Sequence, residues 1–379
     1  MSTIAGGIKP SELARFVLDR RELVILDVRN EPDYNAWRIE GASIQSVNIP
    51  YFELLDGVEE AVKQLPVDRE VVVVCAKEGS SVFVAEQLVE EGLSAVRYLE
   101  GGMRAWSEHL EPVSIGGLSG GGELYQFNRL GKGCLSYMAI AGGEALVVDA
   151  QRLTDVYERI AAERGAAIRY VLDTHLHADH ISGGRSLAER TGARYYLPPR
   201  DAEEAEFSYE SLTDASVLRL GSDGVPVAAF YSPGHTIGST SLIVDDHYLL
   251  SGDILFVSSI GRPDLAGHAE QWAEELRRTL YGSYSELPKE LLVLPAHFGH
   301  PGELDEHGRV AASLGDLFQG NPGLDLPESQ FCRIVTTNLP EQPNAFQQIR
   351  LTNLGKLNPS EEERSDMEIG PNRCAVHDH

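Results

Sequence analysis

The segment His175-Leu176-His177-Ala178-Asp179-His180 places four side chains able to ligate a metal within six positions, directly after the apolar strand Tyr170-Val171-Leu172. So dense a polar cluster at a strand end implies a bound partner, and imidazole together with carboxylate suits zinc or iron. Alternate side chains of an extended segment share a face, so His175, His177 and Asp179 are expected to project together, with His180 reaching the far side of a metal pocket. Three later apolar strands end in the same manner: 228–231 leads to Pro233-Gly234-His235, 248–250 to Ser251-Gly252-Asp253, and 291–294 to Pro295-Ala296-His297. A chance group of solvated histidines does not explain that repetition; a metal site assembled at one edge of a sheet does.

A second reactive candidate lies far upstream. Val71-Val72-Val73-Val74 reads as a buried strand that stops on Cys75, followed by Ala76-Lys77-Glu78-Gly79-Ser80-Ser81 and a helical pattern from Val82 to Leu88. Loop amides and the positive end of a helix stabilise a thiolate or a persulfide anion. Cys75 is therefore a candidate sulfur acceptor, with Lys77, Ser80 and Ser81 as substrate contacts; the competing reading is an inert cysteine capping a core strand. Cys134 and Cys332 are expected to be packing residues, and Cys374 either packing or a thiol near the metal. Four scattered cysteines form no paired framework, which fits a reducing compartment.

These residues need two scaffolds, and 379 positions leave room for two or three domains. Lys+Arg of 32 against Asp+Glu of 58 gives a net charge of −26, a field that repels polyanions and excludes nucleic acid as the expected partner. An anionic substrate would need a local basic pocket. With no apolar run of membrane-spanning length and no basic-then-apolar leader, a cytoplasmic protein without a membrane partner is expected. Residues 22–29 form a short apolar strand, and Glu31-Pro32 can open a helix. Pro112 and the run Gly116-Gly117-Leu118-Ser119-Gly120-Gly121-Gly122 predict a flexible linker at 113–122 between halves that move partly independently. Strands follow at 124–128, 135–140 and 145–149, the last two joined by Ala141-Gly142-Gly143-Glu144, and then a helix at about 152–164.

Leu26-Asp27-Val28-Arg29, Gly41-Ala42 with Asn48-Ile49-Pro50, the Cys75 loop and Leu99-Glu100-Gly101-Gly102-Met103-Arg104-Ala105-Trp106 together resemble a single rhodanese domain over about residues 8–110. The resemblance implies an α/β fold with a parallel sheet and flanking helices, and Cys75 as the sulfane-sulfur acceptor. Trp37-Arg38 stands where such domains carry Gly-His, and Ala76 and Ser80 where arginines are frequent, which leaves Lys77 as the loop's positive charge.

The segments 174–180, 233–235, 252–253 and 295–297 resemble the metallo-β-lactamase fold superfamily, over roughly residues 123–315. This implies an αββα sandwich with the metal between the sheet edges. All positions of the superfamily's two-metal pattern are filled: His175, His177 and His235 for one ion, Asp179, His180 and His297 for the other, and Asp253 between them. Ligand identity alone leaves a dinuclear zinc hydrolase and a mononuclear iron enzyme both open.

Ile260-Gly261-Arg262-Pro263-Asp264-Leu265, the tail Ile369-Gly370-Pro371-Asn372-Arg373-Cys374-Ala375-Val376 and the attached rhodanese-like module resemble the persulfide dioxygenase branch and its bacterial rhodanese fusions. That resemblance implies one Fe(II) per chain on His175, His235 and Asp253, with His177, Asp179, His180 and His297 behind them as supporting residues or second-metal ligands. It also implies a C-terminal extension, here 316–379 with Asn338-Leu339-Pro340, packed beside the site. Arg262 is the expected partner of the substrate's carboxylates, the alternative being a structural pairing with Asp264. The expected reaction is oxidation of a low-molecular-weight thiol persulfide such as glutathione persulfide by O2 to sulfite, with Asp253 and Cys75 as catalytic residues and sulfite/thiosulfate interconversion through Cys75. The alternative is a thiolester hydrolase of the glyoxalase II type, with two zinc ions and an accessory rhodanese-like module. The oligomeric state stays open, a homodimer included.

Overall fold

A computed structural model describes residues 5–66, 68–222, 224–264, 269–337 and 339–376; Leu265 and Asn338, both within motifs quoted above, lie outside the described residues. Five parallel strands form the first sheet, in spatial order Gly6–Ile8, Val96–Leu99, Glu70–Val74, Leu23–Asp27, Ile44–Asn48. Its central strands are buried on both faces, which is why they read as continuous apolar runs.

Two further sheets stack face to face. A seven-stranded sheet runs Glu210–Ser211, Arg194–Leu197, Ala167–Leu172, Glu144–Val148, Cys134–Ala141, Gly122–Arg129, Glu111–Leu118. A six-stranded sheet runs Val217–Leu220, Val225–Tyr231, Thr240–Val244, Tyr248–Gly252, Leu292–Pro295, Ala312–Ser313. Leu135, Tyr137, Leu146 and Leu172 of one sheet meet Val227, Leu242, Leu250 and Leu294 of the other in a shared core. The outer face of the larger sheet is covered by the helices Asp155–Glu163 and Gly184–Thr191, through Tyr157, Ile160 and Leu187. That of the smaller is covered by Ala269–Arg278, through Ala273 and Leu276, and by Phe331 and Val335. The result is the four-layer αββα sandwich.

The expected linker at 113–122 is corrected by the structure. Glu111–Leu118 is an edge strand paired in antiparallel register with Gly122–Arg129, and Gly120 and Gly121 make the hairpin turn at positive φ. Gly116 leaves room for the Tyr248 hydroxyl, which a Cβ would approach to 2.7 Å and which donates to the carbonyl of Gly117. Glycine serves close packing there, not freedom. The two halves are docked rather than tethered: Trp37 Nε1 donates to the Gly131 carbonyl at 2.7 Å, Arg129 Nε to that of Ser107 at 2.6 Å, and Arg152 pairs with Glu108.

Candidate metal centre

Five strands deliver their ends to one buried point between the two sheets. Glu144–Val148 ends at Asp149, Ala167–Leu172 leads through Asp173 and Thr174 into the histidine segment, and Val225–Tyr231, Tyr248–Gly252 and Leu292–Pro295 deliver His235, Asp253 and His297. Residues 173–180 carry no strand, so strand alternation does not sort their side chains. His175, His177 and Asp179 therefore do not share one face, contrary to expectation. His175 joins His235 and Asp253; His177 turns to Asp149 and Asp173; Asp179 and His180 join His297 and Cys134.

The first group is built to present free ligand atoms. His235 Nδ1 donates to the Arg262 carbonyl at 2.8 Å, so its Nε2 carries a lone pair. The Thr174 hydroxyl donates to Asp149, which leaves its oxygen to accept from His175 Nδ1 at 3.0 Å and frees Nε2 of His175 in turn. His175 Nε2, His235 Nε2 and Asp253 Oδ2 are all buried without a hydrogen-bond partner, and Asp253 Oδ2 lies 3.6 and 3.3 Å from the two nitrogens. Three converging, unpaired buried ligand atoms of two imidazoles and one carboxylate fit a cation. Burial, followed by the neighbouring His177, pushes the His175 pKa well below the imidazole value, and burial lowers that of His235, so both are neutral ligands. Burial opposes ionisation of Asp253, but the imidazolium of His297 and its hydrogen bond outweigh it and hold the carboxyl below its usual range.

The second group bonds within itself at His297 and Asp179. His297 Nδ1 bonds Asp253 Oδ1 at 2.7 Å and its Nε2 bonds Asp179 Oδ2 at 2.9 Å, so both ring nitrogens are taken. Asp179 Oδ1 meets His180 Nδ1 at 3.1 Å, and Oδ2 also accepts from the Cys134 thiol at 3.2 Å. Burial disfavours the imidazolium of His297, yet Asp253 and Asp179 together raise its pKa well above the usual value. His180 Nε2 and His177 Nδ1 are the unpaired buried ring atoms on this side.

Arg262 is not a substrate contact, which corrects the expectation. Its side chain is buried, and its five N–H donors meet five acceptors: Asp264 Oδ1 and Oδ2 at 2.7 and 2.9 Å, and the carbonyls of Pro340, Glu341 and Arg373 at 2.8, 3.0 and 3.0 Å. Arg262 fastens the C-terminal extension while its own carbonyl orients His235.

Cys75 follows the strand Glu70–Val74 and is nearly buried, its thiol 3.4 Å from Ser81 Oγ at the start of the helix Gly79–Glu90. Ser81 in turn donates to the Glu78 carbonyl, Lys77 is exposed, and Ser80 is half-buried.

Several residues of the centre escaped the sequence reading. Cys134, expected as a packing residue, stands beside Asp179 and is brought there by an isolated bridge to His297, which no spacing reveals, while Cys374, expected either to pack or to lie near the metal, stands beside Asp253 and His297. Asp149 carried the same signal as the others, a strand ending on a carboxylate, and was readable. Glu368 and Asn353 act from the extension: Glu368 Oε1 accepts from the Ile181 amide at 2.7 Å, and Asn353 Nδ2 donates to the carbonyls of His177 and His180 at 3.0 Å. Glu368 is fully buried between Arg129 and Arg152, and despite burial those two cations depress its carboxyl to about 2.

Comparison with known proteins agrees with this architecture. Residues 9–109 match the rhodanese-like domain and residues 130–328 the metallo-beta-lactamase superfamily. Human mitochondrial persulfide dioxygenase ETHE1 is 30% identical over 192 residues, covering 48% of this chain and 67% of that protein. A hydroxyacylglutathione hydrolase of Anaeromyxobacter dehalogenans is 32% identical over 174 residues, 46% of this chain and 65% of its own. Among solved structures, a metallo-beta-lactamase from Staphylococcus aureus superposes with a TM-score of 0.56 at 26% identity, covering 63% of this chain and 74% of that one. No described helix is long and apolar enough to cross a membrane. The chain belongs to the metallo-beta-lactamase superfamily, with a rhodanese-like domain ahead of its lactamase-fold domain and a persulfide dioxygenase among its homologues.

Proposed function

We propose that this protein oxidises a low-molecular-weight thiol persulfide, such as glutathione persulfide, at one iron(II) held by His175, His235 and Asp253, and that Cys75 of the rhodanese-like domain carries sulfane sulfur. The overall reaction consumes the persulfide, O2 and water and releases free thiol and sulfite with two protons. The observation that carries this reading is the division of the centre: His175 Nε2, His235 Nε2 and Asp253 Oδ2 converge unpaired, whereas both nitrogens of His297 and both oxygens of Asp179 are engaged. Two imidazoles and one carboxylate leave iron(II) open positions for redox chemistry with O2 that zinc does not offer.

The protein's own residues orient and insulate. Thr174 and the Arg262 carbonyl fix which ring nitrogens of His175 and His235 are free. His297, bridging Asp179 and Asp253, holds one carboxylate oxygen so that the other faces the site. Burial of every member excludes bulk water. The test is oxygen consumption with glutathione persulfide on anaerobically iron-loaded protein, with metal analysis and Asp253→Ala alongside. Persulfide-dependent uptake with one iron per chain, absent in the variant, is expected. Two zinc ions per chain and no such uptake would overturn the reading in favour of a dinuclear hydrolase.

A further inference from the structure

Beyond His297 the chain turns through Phe298, Gly299 and His300 into the single helical turn Pro301–Glu303. Glu303 fastens that turn with one oxygen: its Oε1 accepts from the amides of Gly299 and His300 at 2.7 and 3.3 Å. The other oxygen is not used. The Glu303 side chain is only 2% exposed, and Oε2 is buried with no hydrogen-bond partner among the described residues. The His300 ring approaches Oε1 rather than Oε2, and only to 4.0 Å. An unpaired carboxylate oxygen inside a protein is costly, and such an atom marks a place where a donor binds.

Glu303 lines a small cavity of about 50 Å³, whose wall also includes His297, Phe256, Phe298, Ser259 and Arg373. His297 sets this cavity one hydrogen bond from Asp253, through Nδ1 at 2.7 Å. The cations on its wall are already answered: both N–H groups of His297 are engaged by Asp253 and Asp179, and Arg373 pairs with Glu341 at 3.0 Å. Neither bonds Glu303 Oε2. The rings of Phe256 and Phe298 add faces that attract a cation. An anion would meet the carboxylate, an apolar group would leave it unpaired, and a calcium or magnesium ion would need several more oxygens than one. A carboxylate oxygen beside two phenyl rings suits a primary ammonium, and the volume admits a group of only a few heavy atoms.

Resting on the persulfide dioxygenase reading, we propose that this cavity is a subsite for the primary ammonium of the persulfide's carrier, with Glu303 Oε2 as its acceptor. Glu303 is then a specificity residue: it selects persulfides that keep a free α-amino group, as cysteine and γ-glutamyl peptides do, over carriers without one. A net charge of −26 repels an anionic persulfide, and a cationic end on the same molecule offsets that repulsion. No bond is made or broken at this subsite.

Two measurements on the full chain test it. In the first, glutathione and N-acetylglutathione are titrated calorimetrically into the wild-type protein and into Glu303→Gln. The wild type is expected to bind glutathione about tenfold more tightly than the acetylated form, and the variant to bind the two equally. The glutamine keeps an oxygen for the amides of Gly299 and His300, and each comparison is made within one protein, so a change in stability cancels. Equal binding of both ligands by the wild type overturns the proposal without recourse to any variant; so does a preference that survives in Glu303→Gln. The second measurement follows oxygen uptake by iron-loaded protein with cysteine persulfide and with glutathione persulfide. The carrier whose ammonium occupies the cavity is the one whose KM rises about tenfold in Glu303→Gln, and a KM unchanged for both overturns the proposal. No oxygen uptake with either persulfide, with the ammonium preference in binding intact, would fault the dioxygenase reading and leave the subsite supported.

Discussion

The two halves of the metal centre use the same residue types to opposite ends. Around Asp253, each ligand is oriented through its outer atom, by Thr174, the Arg262 carbonyl or His297, and the inner atoms of His175, His235 and Asp253 are left unpaired. Around Asp179, the ligands bond one another: His297 and His180 donate to the carboxylate and Cys134 joins them. Counting metal-competent residues gives three around Asp253 against four around Asp179 and so does not single out the first half. Counting unengaged atoms separates them, because a buried imidazole held at both nitrogens is a hydrogen-bond bridge.

The sharpest way to break this contrast is to remove one member from each half. Asp253→Ala deletes an inner atom and is expected to abolish metal retention and lower activity by more than about a hundredfold, beyond the range of supporting residues. Asp179→Asn keeps the shape but withdraws the negative charge that holds His297 and His180, and is expected to lower metal affinity by about 10- to 100-fold without abolishing it. Iron content after dialysis, with oxygen uptake, reads both. Equal losses would show that the halves share one dinuclear site.

Much of this was legible in the residues. The strand-then-ligand pattern at His235, Asp253 and His297 located the centre because strands ending at one sheet edge converge whatever lies between them. The rhodanese-like segment was legible for a similar reason, since a parallel sheet writes each strand as an unbroken apolar run. The partition of the centre was not. It depends on which ring nitrogen each histidine turns inward, and that is set by Thr174, adjacent to His175 but itself oriented by the distant Asp149, and by the Arg262 carbonyl, 27 residues from His235. Arg262 misled because a guanidinium fork suits a substrate carboxylate and a neighbouring Asp264 equally; the carbonyls of Pro340, Glu341 and Arg373 decided it. The glycine run misled because composition reports freedom of the unfolded chain, while Tyr248 and Ile140 determine what fits against Gly116 and Gly122 in the folded one.

The smallest expected effect comes from outside both halves and asks what holds the Asp179 half in place. Glu368 links the extension to Arg129 and Arg152 and accepts from the amide of Ile181, next to His180. Its carboxyl ordinarily titrates near 4.5 and in the fold is held at about 2, a depression worth about 3 kcal/mol of stability. The sign follows from the lowered value: the folded state binds the proton less readily than the unfolded chain. The contribution is therefore complete above about 4.5 and is lost as pH falls through about 2. Glu368→Gln should lower stability in chemical denaturation at neutral pH by about 3 kcal/mol and flatten the acid limb between those values, while metal retention is expected to stay unchanged. If Glu368→Gln instead released iron as Asp253→Ala does, the Asp179 half would be part of the ligand set, and the contrast between the halves would not stand.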